Sequence, residues 1–578
     1  MSDAGVAGVL TEISGWVVHA RVSVPLALRE IVFVGGQRRT GEVVALKRSI
    51  AVIQVYEETE GLAPGDPVYA SGAPLLVELG PGLLGEVFDG MQRPLGALAD
   101  HDGAFMRAGT RLPALSRETL WPFKPSVVEG VDVRAGVELG RVAETAAIEH
   151  PIVVPHGVEG RIVSIAAAGA MRVDDVVARV ESAGGIREIT MVQKWRTRVP
   201  RPVEERLPFS EPLITGQRVL DTFFPLARGA AACMPGGFGT GKTVTQHQLC
   251  RWADADVIIF VGCGERGNEI TQLLRELPEL VDPRTGRPLR DRTILIANTS
   301  NMPVSAREAS IFTGITIGEY YRDLGFNVLL LADSISRWAE SLREISGRLG
   351  EIPAEEGYPP YLSSALAAFF ERAGQVRALG GRPGSLTVIS AISPPAGDLT
   401  EPVTRHAQRF VQTFWTLDRQ LAAARVFPAI SMRDSYSAIP TGVAQWWTAN
   451  VDRDWSAKRI AVLDFLEQAA RDEETARLVG SDSLPDRERF ILRLSAIFQE
   501  GYLEQSAFDE VDACCAPKRQ RDLLDLFLLV LTKGLDLIGG GKNADAILSL
   551  PLFTKLPRLK SARELPAVAD IEKELASC

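Results

Sequence analysis

Eight consecutive residues constrain this chain more than any others: Gly236-Gly237-Phe238-Gly239-Thr240-Gly241-Lys242-Thr243 spell GxxxxGK[ST]. Glycines at this spacing let backbone N–H groups turn inward around phosphate oxygens, and a following helix presents its positive N-terminus to the same anion. Lys242 then reaches the β- and γ-phosphates, the Thr243 hydroxyl ligates Mg2+, and Val244 closes the nucleotide-binding run. An apolar stretch precedes the loop and VTQHQLCRWA, a helical pattern, follows it. The motif thus sits in the strand, loop and helix context that its physics requires.

The surrounding texture agrees. Apolar runs at 257–262 (VIIFVG), 293–298 (TILIAN), 328–333 (VLLLAD) and 385–392 (SLTVISAI) alternate with longer helical patterns. Continuous apolar strands of this kind predict a parallel sheet covered on both faces, and place a P-loop core at 197–440. Residues 1–75 alternate apolar and polar side chains between glycine breaks, which predicts a small β-barrel or sandwich. A connection rich in glycine and proline follows at 76–113, and Val/Ile pairs punctuated by glycine predict an inserted β-rich module at 114–196. Within 441–578, Phe490, Leu494, Ile497, Phe498 and Tyr502 recur at helical spacing, and LLDLFLLVLTKGLDLI supplies a second apolar helix. This end reads as a helical bundle, so the fold class is multidomain α/β.

Composition excludes several function classes. The 578 residues are 46% hydrophobic and 24% charged, with 63 basic against 73 acidic side chains and a net charge of −10. That balance disfavours a broad nucleic-acid surface. The segment KWRTRVPRP at 194–202 reads as a solvated linker, with a local nucleic-acid patch as the alternative. The six cysteines, at 233, 250, 263, 514, 515 and 578, show no metal-ligand spacing and no disulfide framework. The six histidines are scattered and read as surface or satisfied core residues. No apolar run approaches the length of a membrane span and the N-terminus lacks a secretory pattern, which predicts a cytoplasmic chain.

Two further elements carry chemistry. Asp333 closes VLLLAD, 90 residues after Thr243, where a carboxylate can hold the Mg2+ shell. Glu265 and Arg266 follow the strand VIIFVG in Gly262-Cys263-Gly264-Glu265-Arg266-Gly267. A carboxylate at that sheet edge can orient the water that attacks the γ-phosphorus, and the arginine can stabilise charge on the transferred group. An ordinary ion pair in a turn fits the same two residues.

GGFGTGKT, VGCGERGNE, ANTSNMPVSAREAS, LLLADSISRWAE, LREISGRLGEIPAEEGYPPYL and SPPAGDLTEPVT, in this order, resemble the catalytic A subunit of V-type and A-type rotary ATPases. The likeness extends more loosely from FDGMQRPL to FDEVDA. It implies a RecA-like core in which Lys242 and Thr243 bind phosphate and Mg2+, Glu265 positions the attacking water, and Arg266 faces the γ-phosphate. Asp333 falls on the Walker B acid and Arg337 on a further arginine that meets phosphate. Phe427 and Phe508 correspond to rings that enclose adenine, with core packing as the alternative for both. The resemblance also implies ATP/ADP and Mg2+ as ligands, and an A3B3 hexamer in which a non-catalytic B-type subunit supplies an arginine finger. Central and peripheral stalk subunits and a membrane ion rotor for protons or sodium would complete the assembly, with no nucleic acid involved.

Three departures accompany the likeness. Ala396 stands where the family has the middle glycine of SPPGGD, Met432 stands at a tryptophan place, and Thr240 replaces the cysteine of eukaryotic relatives. Two alternatives compete: a nucleotide-binding ring subunit without turnover, and another hexameric motor such as a type III export ATPase or an RNA translocase similar to Rho. The water-orienting acid argues against the first, and the insertion at 114–196 against the second.

Overall fold

A computed structural model describes residues 5–103, 105–277 and 279–577. Cys578 and the first four residues of the N-terminal pattern lie outside the described residues. The chain divides into two compact units, each built from separated stretches of sequence. The first holds 1–207, 229–233 and 255–411, and the second 208–228, 234–254 and 412–578.

The first unit opens with a closed antiparallel barrel in the order Val6–Ser14, Val17–Val22, Ile50–Val55, Arg39–Lys47, Glu30–Val34 and Pro67–Pro74. Its interior is the alternating apolar set read from the sequence, among them Leu10, Val18, Val32, Val43, Ile53 and Val68. Closure leaves no unpaired edge. The insertion forms two four-stranded antiparallel sheets and, among the described residues, contains no helix. The connection at 76–113 is more ordered than its composition suggests. Leu76–Leu79 pairs with Gln193–Arg196, Val87–Phe88 joins the edge of the main sheet, and Leu95–Asp102 is helical.

The parallel sheet runs from Ala231–Pro235, whose first three residues belong to this unit, through Pro383–Ile392, Asn327–Asp333, Val257–Glu265 and Thr293–Thr299 to Val87–Phe88. All four strands expected from the apolar runs are present, because burial on both faces leaves no polar alternation to obscure them. The helix Val304–Asp323, buried along nearly its whole length, packs against this sheet.

The solvated-linker reading of 194–202 holds for Lys194 and Arg196, which are exposed, and fails for Arg198 and Arg201. Arg198 donates to both carboxylate oxygens of Glu308, at 2.7 and 2.5 Å, and Arg201 pairs with Asp323 at 2.6 Å. The Thr197 carbonyl accepts from Thr316 and Arg372. Arg201 is buried and Arg198 half-buried against the helix, where charge-assisted hydrogen bonds offset their desolvation. A second buried network ties the insertion to the same helix: His150 bonds Glu144 at 2.6 Å and Tyr320 at 2.7 Å, and Tyr321 bonds Glu144. His150 is a satisfied core histidine.

The second unit carries the helices Thr441–Asn450, Trp455–Val479, Asp486–Phe498 and Pro517–Gly539, with shorter ones to the C-terminus. Phe490, Leu494, Ile497, Phe498 and Tyr502 are all buried, and the Phe498 and Tyr502 rings stack at 5.0 Å. Among the described residues, no helix is long and apolar enough to cross a membrane.

Candidate active site

In the second unit, the chain leaves Pro235, turns through Gly236–Thr240 and enters the helix Lys242–Trp252. Gly241 precedes that helix in the left-handed region, φ 88°, where a side chain is disfavoured. A Cβ on Gly236 would lie 2.6 Å from the Thr240 hydroxyl and 2.7 Å from the Leu417 Cβ, so only glycine fits. Thr240, buried, donates to the Gly237 carbonyl at 2.8 Å. The Lys242 ammonium donates to the carbonyls of Gly236 and Gly237 at 2.6 and 2.8 Å, folded over the loop it belongs to. Thr243 is half-buried in the first turn, while Phe238, Gly239 and Val244 are exposed.

Two aromatic positions accompany this loop. Phe427 is 41% exposed, and its ring stands 3.3 Å from where a Cβ on Gly241 would be. Phe508 is 95% exposed, which removes core packing as an account of it. The segment leading to Phe508 is tied to Phe427 by a hydrogen bond from the Gln505 N–H to the Phe427 carbonyl, 2.8 Å.

Sequence reasoning missed the residue that organises this segment. Arg218, fully buried, donates to the carbonyls of Tyr502 and Glu504 at 2.8 and 2.6 Å and pairs with Asp512 at 2.5 Å. Its backbone N–H donates to the Gln505 side chain at 2.8 Å. The available signal was a lone arginine in the otherwise apolar start of RVLDTF, since a buried charge needs a partner.

In the first unit, the strand Val257–Glu265 is buried except at its last residue. Asp333 ends the neighbouring strand in register with Gly262 and is 3% exposed. The structure brings Glu265, Glu269, Asp333 and Arg337 together at this edge. Burial pushes the Glu265 carboxyl up to about 9, the negative charges of Asp333 and Glu269 push it the same way, and Arg337 opposes them. Negative charges this close disfavour ionisation of the Glu265 carboxyl. The Arg337 Nη1 donates to both carboxylate oxygens of Glu340, at 3.0 and 2.9 Å. Arg266 is exposed at the cap of the helix Gly267–Glu276.

Asp333 in the first unit and Thr243 in the second each offer an oxygen donor, the donor chemistry that suits Mg2+ rather than a softer metal. Each unit by itself thus offers one element of phosphate chemistry: a carboxyl at a strand end in the first, and a glycine loop before a helix N-terminus in the second.

Comparisons with known proteins agree. Residues 216–437 match the ATP synthase alpha/beta family, nucleotide-binding domain, and 10–72 match that family's beta-barrel domain. Residues 112–198 match the ATP synthase alpha/beta subunit barrel-sandwich domain, and 444–538 the C-terminal domain of V and A type ATP synthase. The A subunit of the A-type ATP synthase of Desulfurococcus sp. (strain SY) is 52% identical over 92% of this chain and 91% of its own length. That of Methanopyrus kandleri is 50% identical over 96% and 94%, and that of Thermococcus sibiricus 49% over 97% of both. Among solved structures, the assembled ATPase EscN from the enteropathogenic E. coli type III secretion system shares the fold, with a TM-score of 0.64 at 21% identity, covering 90% of this chain and 100% of EscN. The chain belongs to the ATP synthase alpha/beta family, among the A subunits of A-type ATP synthases.

Proposed function

We propose that Glu265 takes the proton from the water that attacks the γ-phosphorus of ATP, and returns it when the reaction runs toward synthesis. Membership of the family makes the chain an ATP-binding catalytic subunit of a rotary ATP synthase complex, an ATPase by reaction type. The observation that supports the role of Glu265 is its place at the open end of a buried strand, beside Asp333 and Glu269. A carboxylate there can accept a proton from a water in hydrogen-bond reach.

The other residues divide the remaining work. Lys242 and the N–H groups of Gly236–Thr243 bind the phosphates, and Arg266 and Arg337 carry positive charge to the γ-phosphoryl group. Phe427 and Phe508 enclose adenine, consistent with two exposed rings near one loop segment. Thr243 and Asp333 hold Mg2+, which when bound neutralises charge on the phosphate oxygens.

The working parts are a barrel at 1–75, a connection at 76–113, an insertion at 114–196, a core at 197–440 and a helical part at 441–578. Within an A3B3 hexamer, the B-type neighbour supplies an arginine finger. Stalk subunits link that ring to a proton or sodium rotor in other chains, which places this polypeptide on the cytoplasmic face of a membrane. Family membership is the support for these assignments.

The test is to purify the complex through a tag on this chain and compare Mg-ATP turnover with Glu265→Gln. The proposed role predicts a loss of about 10²–10⁴-fold with ATP binding and assembly retained. Turnover that is indifferent to the substitution in an assembled complex places catalysis elsewhere.

A further inference from the structure

The reaction depends on where the Glu265 carboxyl points, and the peptide that carries it is held by an arginine with no role assigned above. Arg307 leaves the first turn of the helix Val304–Asp323. Its side chain passes beside Gly264, which adopts φ 74°; a Cβ there would lie 3.1 Å from the Arg307 Cδ, 3.2 Å from its Nε and 2.8 Å from the Arg337 Cβ. The residue before Glu265 is thus wedged between two arginine stems, and only glycine fits.

The far end of Arg307 extends the hold. Its Nη2 donates to the Ser300 carbonyl at 3.1 Å, and the Ser300 N–H donates to the Glu265 carbonyl at 2.9 Å. Guanidinium, Ser300 peptide and Glu265 peptide form one chain of hydrogen bonds. The Arg307 Nε is buried without a hydrogen-bond partner, a cost that packing alone does not explain. The helical turn is itself fixed: the next residue, Glu308, takes both arms of Arg198, and its carbonyl accepts from the Trp338 indole at 3.1 Å, on the helix that carries Arg337.

We propose that Arg307 is a positioning residue for the ATPase reaction: its guanidinium fixes the Ser300 peptide that anchors Glu265, and its stem sets the direction in which Glu265 leaves the strand. This rests on the catalytic reading of Glu265.

The test uses the intact complex with Mg-ATP, comparing Arg307→Met, Arg307→Lys, Glu265→Gln and the double variant Glu265→Gln/Arg307→Lys. A misplacement on the order of 1 Å costs about 100-fold, so Arg307→Met should lower kcat by about 10–100-fold while KM for Mg-ATP stays within about threefold. Arg307→Lys keeps the charge but not the fork, and should recover only a small part. Because the residue acts through Glu265, Arg307→Lys should cause no further loss of single-turnover rate in the Glu265→Gln background. A kcat within about threefold of the parent in Arg307→Met, or an undiminished loss in the double variant, overturns the proposal. Should Arg307→Met fail to assemble, Arg307→Lys decides by the same criteria. Normal turnover in Glu265→Gln removes the catalytic reading and this inference with it; an inactive Glu265→Gln beside active Arg307 variants removes the inference alone.

Discussion

Arg218 and Asp512 meet at 2.5 Å with both side chains fully buried, joining the start of one helix to a loop almost three hundred residues later in the chain. Asp512 also accepts from the Ser506 N–H at 2.8 Å, so the pair fixes both ends of the loop that presents Phe508. Removing one member strands the other charge in the interior. Arg218→Met should therefore cost about 3–5 kcal/mol of stability. Chemical denaturation of the chain measures that loss, and ATP affinity should fall alongside it as the Phe508 loop loosens.

Glu265 gives a pH dependence of definite sign. Its carboxyl is raised in the folded chain, so the folded state binds the extra proton and the unfolded state does not. Stability is then greatest below the ordinary carboxyl range and declines as pH rises from about 4.5 toward 9. Glu265→Gln removes the titration. Without nucleotide, the variant should match the parent near pH 5 and exceed it near pH 8 by on the order of 2 kcal/mol. Thermal melts at the two pH values check this, and a parent that is the more stable at the higher value contradicts it.

Ala396 occupies the left-handed region, φ 55° and ψ 7°, in the short turn Pro395–Gly397. A Cβ there costs roughly 1–2 kcal/mol, whereas glycine adds about 0.5–1 kcal/mol of unfolded-state entropy. The first effect wins. Ala396→Gly, which restores the glycine common in relatives, should stabilise the chain by about 0.5–1 kcal/mol. A shift of the denaturation midpoint to lower denaturant would contradict the backbone reading.

The main strands were legible because each is an unbroken apolar run that ends in chemistry: VIIFVG leads to Glu265 and VLLLAD ends at Asp333. The helical face through Phe490 and Tyr502 was legible for a similar reason, since its spacing shows within a dozen residues. Residues whose meaning depends on a distant partner were not. Arg198 and Arg201 read as solvated because Glu308 and Asp323 lie more than a hundred residues away. Val87–Phe88 is too short to show a period, yet it occupies a sheet edge. Arg218 carries no motif of its own, and Arg307, although it lies within ANTSNMPVSAREAS, shows no role in the sequence; what each does follows only from the carbonyls that the fold delivers to it.

The division of the chain into interrupted stretches bears on its birth at the ribosome. Once residue 411 has emerged, every segment of the first unit has been made, including the acids at its strand ends. The loop Gly236–Thr243 emerged long before, but its unit also needs the helices after 412. The stretches that carry the acids are thus all made before the second unit has its last stretch. A nascent chain cut short at that point would hold every strand that ends in an acid, and its phosphate loop, without the stretch after 412 that completes the loop's unit.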